Sequence, residues 1–83
     1  MSTHKYYAVI EKEEDYFSVS FPDLENCFTD AESLSDAVIE AQDVLLAMLS
    51  SMDEDGDTIP TPRKAKDIDL PDGASLVLIT VNL

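Results

Sequence analysis

Apolar positions in the first quarter of the chain recur every second residue. Over residues 5–12, Tyr6, Ala8 and Ile10 fall on one face and Tyr7, Val9 and Glu11 on the other, which predicts a strand. Residues 16–21 alternate more cleanly, with Phe17, Val19 and Phe21 against Tyr16, Ser18 and Ser20. Glu13-Glu14-Asp15 is a short polar link, so the two runs form a hairpin. Pro22 has no amide proton and ends the pairing. The turn Asp23-Leu24-Glu25-Asn26 reverses the chain and leaves Cys27-Phe28-Thr29 as a short third strand at an edge.

The period then lengthens. Ser33-Leu34-Ser35-Asp36 reads as a capping box opening a helix from residue 34 to about residue 52. Leu34, Ala37, Val38, Ala41, Val44, Leu45, Met48, Leu49 and Met52 repeat at three and four and form one apolar stripe, with Gly56 as the stop. Residues 57–72 are a loop stiffened by Pro60, Pro62 and Pro71; it holds Arg63, Lys64 and Lys66. Residues 75–81 are a last strand, apolar on both faces: Leu76 and Leu78 on one, Val77, Ile79 and Val81 on the other.

The order is β-β-β-α-β, an α+β chain with sheet order 3-2-1-4 and one helix packed on one face. A right-handed crossover through the helix is expected to bring the fourth strand parallel to, and beside, the first. One helix covers one face only. The apolar last strand then stands at an edge, beside Tyr7 and Val9 on the uncovered side of strand one, and an exposed apolar edge invites pairing. A homodimer or larger assembly is therefore expected, built on Tyr7, Val9, Val77, Ile79 and Val81. In the alternative, residues 57–72 fold over that face and the chain stays monomeric.

Length and composition narrow the class. Eighty-three residues make one domain, and 45% apolar content with two glycines and four prolines is globular. No run approaches the roughly 20 apolar residues of a membrane span, so no membrane partner is expected. The first ten residues lack the apolar core of a signal peptide, and the lone Cys27 has no internal disulfide partner, so the expected location is cytoplasmic. Eighteen acidic residues against five basic ones give a net charge of −13. That field repels phosphate backbones and attracts a basic protein, such as one that itself binds RNA. Direct nucleic-acid binding by these residues is not expected.

Candidate chemistry is thin. Glu11 and Glu40 could imitate two metal-binding carboxylates of a nuclease, but the last strand supplies none. Asp53, Asp55 and Asp57 hold the first, third and fifth places of a calcium loop, yet Thr58 stands where glycine is needed and Lys64 where the bidentate glutamate belongs. Cys27 has one histidine in the chain to help it, His4 at the terminus, and reads better as a small buried hydrophobe. No enzyme, metal or cofactor is expected. The acidic turns read instead as a docking rim for a basic partner, carried by Asp23, Glu25, Asp30 and Glu32, with plain solvated turns as the alternative.

The series Phe21-Pro22-Asp23-Leu24, Cys27-Phe28-Thr29, Ser33-Leu34-Ser35-Asp36-Ala37, Ala41 and Gly56-Asp57-Thr58-Ile59-Pro60-Thr61-Pro62 resembles the N-terminal domain of the HicB family of antitoxins. It departs from the family at Asn26, where glycine is usual, and at Asp30-Ala31-Glu32, where a glycine is favoured. The resemblance implies a partial ribonuclease-H-like fold and a single HicB-like domain over residues 1–83, without the C-terminal DNA-binding segment of many members. It also implies a noncatalytic antitoxin of a type II toxin–antitoxin system. Its partner would be a basic HicA-type toxin that cleaves mRNA, neutralised by covering its RNA-binding and catalytic surface. A stand-alone α/β interaction module with a nontoxin partner is the alternative.

Overall fold

The computed structural model describes residues 2–83. It contains β1 (Thr3–Lys12), β2 (Phe17–Ser20), β3 (Phe28–Ala31), α1 (Leu34–Asp55), a 3-10 turn (Ala65–Asp67) and β4 (Ser75–Asn82). The sheet order is β3-β2-β1-β4 with the helix on one face, as expected. The direction of β4 is not. It pairs antiparallel to β1, with Tyr6 opposite Ile79 and Ala8 opposite Val77.

The cause lies in the connection of residues 56–74. Helix α1 begins just past the end of β3 and returns along the sheet, so that Met48 and Met52 reach the β2–β3 turn. Arg63 is still bound to that turn through Asp23, whereas Ser75 lies opposite Ile10, towards the far end of β1. Residues 64–74 therefore make one further pass. At roughly 3.3 Å per extended residue they are long enough to do so. The fourth strand enters from the opposite end and runs antiparallel.

Register then decides which face each strand buries. Residues directly opposite on paired strands point to the same side. Val77, Ile79 and Val81 lie opposite Ala8, Tyr6 and His4, so they share the helix face of the sheet. Ile79 is 1% exposed and part of the core. These three residues are thus spent inside the chain, and the expectation that they form a self-association surface is corrected. With two apolar faces to choose from, the sequence of β4 could not indicate which would turn inward. The residues sharing the outer face with Tyr7 and Val9 are Leu78 and Leu76.

The outer face is partly shielded. Val9 is buried although the helix lies on the other side, and Ile68 of the connection is also buried, both outside the main core cluster. Leu78 remains 46% exposed.

The helix is capped as its sequence dictates. The Ser33 hydroxyl accepts from the Asp36 amide at 3.2 Å. At the other end Gly56 takes φ 73°, its amide donates to Asp53 and the Asp57 amide donates to the Met52 carbonyl. Ala37 and Ala41 are fully buried and let the helix lie close to the sheet; Leu45 and Leu49 fill the core below them. Each such leucine contributes about 1.5–3 kcal/mol on burial.

Candidate protein-binding surface

The turn of residues 21–27 follows from its spacing. Phe21, Leu24 and Cys27 are buried and anchor it, while Glu25 and Asn26 face solvent. Two backbone hydrogen bonds close it, Phe21 N–H to Cys27 O and Leu24 N–H to Phe21 O, each 3.1 Å. Asn26 has φ 60°, so asparagine takes the left-handed backbone at this position.

The turn is latched to the long connection. The Asp23 carboxylate accepts the Arg63 backbone amide at 3.1 Å and Arg63 Nε at 2.5 Å, and the Arg63 terminal nitrogen donates to the Pro22 carbonyl at 2.7 Å. The Asp23 side chain is only 4% exposed. Close by in the fold, the Tyr6 hydroxyl donates to the Pro60 carbonyl. Burial pushes the Tyr6 pKa above its ordinary value, and the Asp23 charge adds to that. Burial likewise raises the Cys27 thiol. Neither the latch nor the tyrosine contact was visible in the sequence, because the partners are 40 and 54 residues apart.

The four residues read as a docking rim occupy different settings. Asp23 holds the latch and offers little free carboxylate. Glu25, Asp30 and Glu32 are exposed and strung along the β3 side of the molecule: in the turn before the strand, on the strand, and just after it. Between them lies Phe28, 66% exposed and on the same face as Asp30, the helix-free one. Its neighbour across the sheet is Ser20, which is too small to cover it. Phe28 was read only as part of a short edge strand; its place two residues before an acidic position on an unpaired edge was the available signal.

Other candidates are kept apart. Glu11 belongs to the sheet face away from the helix and Glu40 is exposed on the helix, so the sheet separates them. Asp53 and Asp55 lie within α1 and Asp57 follows its cap, a helix end instead of a loop. Among the described residues no group of three or more His, Cys, Asp or Glu side chains is arranged to hold a metal ion. Cys27 is a buried free thiol, and the His4 ring is hydrogen-bonded to the Ser2 hydroxyl. No helix among the described residues is long and apolar enough to cross a membrane.

The β3 side of this two-layer α+β domain thus presents an acidic edge with one exposed aromatic. A family model described as HicB-like antitoxin of bacterial toxin–antitoxin system matches residues 6–83. The chain is 33% identical over 57 residues to UPF0150 protein Ta0767 of Thermoplasma acidophilum, a stretch that is 68% of this chain and 83% of that protein. Its fold is similar to three solved structures. One is a toxin–antitoxin complex from Streptococcus pneumoniae, with TM-score 0.87, 18% identity and 98% and 70% of the two chains covered. Another is the N-terminal domain of the Burkholderia pseudomallei antitoxin HicB, with TM-score 0.83, 19% identity and 96% and 100% covered. The third is a HicA3 and HicB3 toxin–antitoxin complex, with TM-score 0.73, 24% identity and 92% and 95% covered. The chain belongs to the HicB-like antitoxins of bacterial toxin–antitoxin systems; it is an antitoxin and not an enzyme.

Proposed function

We propose that this antitoxin neutralises a basic, RNA-cleaving toxin of the HicA type by binding over its RNA-binding and catalytic surface. The observation that carries the reading is the β3 side: Glu25, Asp30 and Glu32 exposed around Phe28, in a chain of net charge −13. A surface that holds RNA must be positive, so it is complementary to this one. Complementary charge steers encounter, while a central aromatic supplies desolvated contact area. The likeness of the fold to chains of toxin–antitoxin complexes supports the choice of partner.

The test is association with a HicA-type toxin, sought first in the reading frame next to this chain's own. Charge reversal at Glu25, Asp30 and Glu32 together is expected to slow association most at low salt. Phe28→Ala is expected to act mainly on dissociation. Asp23 is left intact because its loss would release Arg63 and confuse docking with folding. Unchanged kinetics in both variants would remove the β3 side from the interface.

Self-association is proposed on a narrower basis than the sequence implied. The free edge of β4 carries eight residues with no charge and no proline, and Leu78 is exposed on its outer face. Two such edges can pair antiparallel about a twofold axis. Leu78→Lys is expected to leave the fold intact and to yield monomer in sedimentation. A wild-type monomer at micromolar concentration, or a dimer untouched by Leu78→Lys, contradicts pairing through this edge.

A further inference from the structure

A cavity of about 350 Å³ opens beside the β2–β3 turn, lined by Leu24, Met48, Met52 and Pro60 together with Asp23, Glu25 and Asn26. Its size is at the low end of ligand sites, which run from about 300 to 1,000 Å³. The apolar lining is adaptable, because two of its members are unbranched thioethers. Asp23 is already taken by Arg63, so the free carboxylate at the cavity is that of the exposed Glu25.

The end of α1 adds a second, independent feature. Met52 lies in its last turn, followed by Asp53, Glu54 and Asp55, with Asp57 beyond the cap and no basic residue in that turn. Carboxylates at a helix C-terminus face the negative end of the dipole, an arrangement that disfavours the helix. The ion pair among the described residues is Arg63 with Asp23, and none joins a base to this helix end.

We propose that this cavity receives one long basic side chain, lysine or arginine, from the partner protein. Its methylenes lie against Met48 and Met52, and its charged head meets Glu25. Long basic side chains divide in this way between apolar stem and charged tip. A leucine or phenylalanine would fill the same walls but leave the Glu25 carboxylate partly desolvated and unpaired. The identity of the partner rests on the toxin reading given above; the chemistry of the side chain does not.

Methionine-methyl NMR of the full chain separates the two. Titration with N-acetyl-lysine methylamide or N-acetyl-arginine methylamide is expected to shift the Met48 and Met52 methyls saturably in the millimolar range. N-acetyl-norleucine methylamide, the uncharged analogue of the lysine probe, is expected to bind at least threefold more weakly. Glu25→Gln, an exposed substitution, is expected to remove the difference. In a parallel arm, Glu25→Gln raises the Kd for the HicA-type toxin at least fivefold. Equal binding of the lysine and norleucine probes, or a charge preference that survives Glu25→Gln, overturns the proposal. If the toxin fails to bind the unaltered chain, the antitoxin reading falls while the small-probe titration still decides the cavity.

Discussion

Tyr6 joins the sheet to the long connection. Its ring is in the core and its hydroxyl, the one polar atom it brings there, donates to Pro60. Tyr6→Phe keeps the ring and deletes the donor, so the expected loss is about 1 kcal/mol, read as a lower denaturant midpoint at unchanged slope. The same hydroxyl gives a pH signature. Its folded pKa is raised above 10.0, by burial first and by Asp23 second. The protonated form is thus the one that folding favours. Its stabilising contribution is complete below pH 10 and is lost as pH rises through the folded value. Cys27 acts in the same direction from 9.0. In Tyr6→Phe the tyrosine share of the alkaline loss should vanish; an alkaline decline identical to wild type would contradict this role. Asp23→Ala should destabilise more than Glu25→Ala, because it strips a shielded acceptor from the Arg63 latch, whereas Glu25 faces solvent. Chemical denaturation of the pair checks the order.

At the scale of elements, the helix has two ends that can be tested. Ser33→Ala removes the acceptor of the Asp36 amide and should cost about 1 kcal/mol, within the 0.5–2 kcal/mol seen for such caps. Gly56→Ala meets no atom within 4 Å of the new Cβ, so its cost is the left-handed backbone alone, about 1–2 kcal/mol. A loss well above that would mean that the cap is packed against something. These ends were legible in the sequence because capping signals sit within one turn of each other. The hairpin was legible for a similar reason: its alternation and polar link are local. The direction of β4 was not. It depends on whether residues 57–74 loop back at once or cross the sheet again, and the anchor that decides this, Arg63 on Asp23, joins residues 40 apart. The choice of buried face in β4 followed from register, which a strand apolar on both sides does not encode. Ile79→Lys accordingly becomes a test of folding, expected to unfold the chain, while Leu78→Lys is the test of the edge. Of the candidate site, the acidic positions were readable from charge alone and Phe28 from its place on an edge strand beside Asp30; the withdrawal of Asp23 into a latch required the fold.

Taken whole, the molecule has a strong field and two sheet edges of opposite character. The β3 edge is short and flanked by carboxylates; the β4 edge is long and uncharged. Their salt dependences should oppose each other. Two copies at −13 repel, so pairing through β4 should strengthen as salt rises, whereas capture of a basic toxin should weaken. Sedimentation and toxin binding across one salt series measure both. The central claim is occlusion of the toxin, and the most direct measurement is RNA cleavage by a purified HicA-type toxin that this chain binds, as the chain is titrated in. The account predicts that cleavage falls in step with complex formation and is abolished at saturation, with free RNA and antitoxin competing for the toxin. A saturated complex that still cleaves RNA at the rate of free toxin would contradict it.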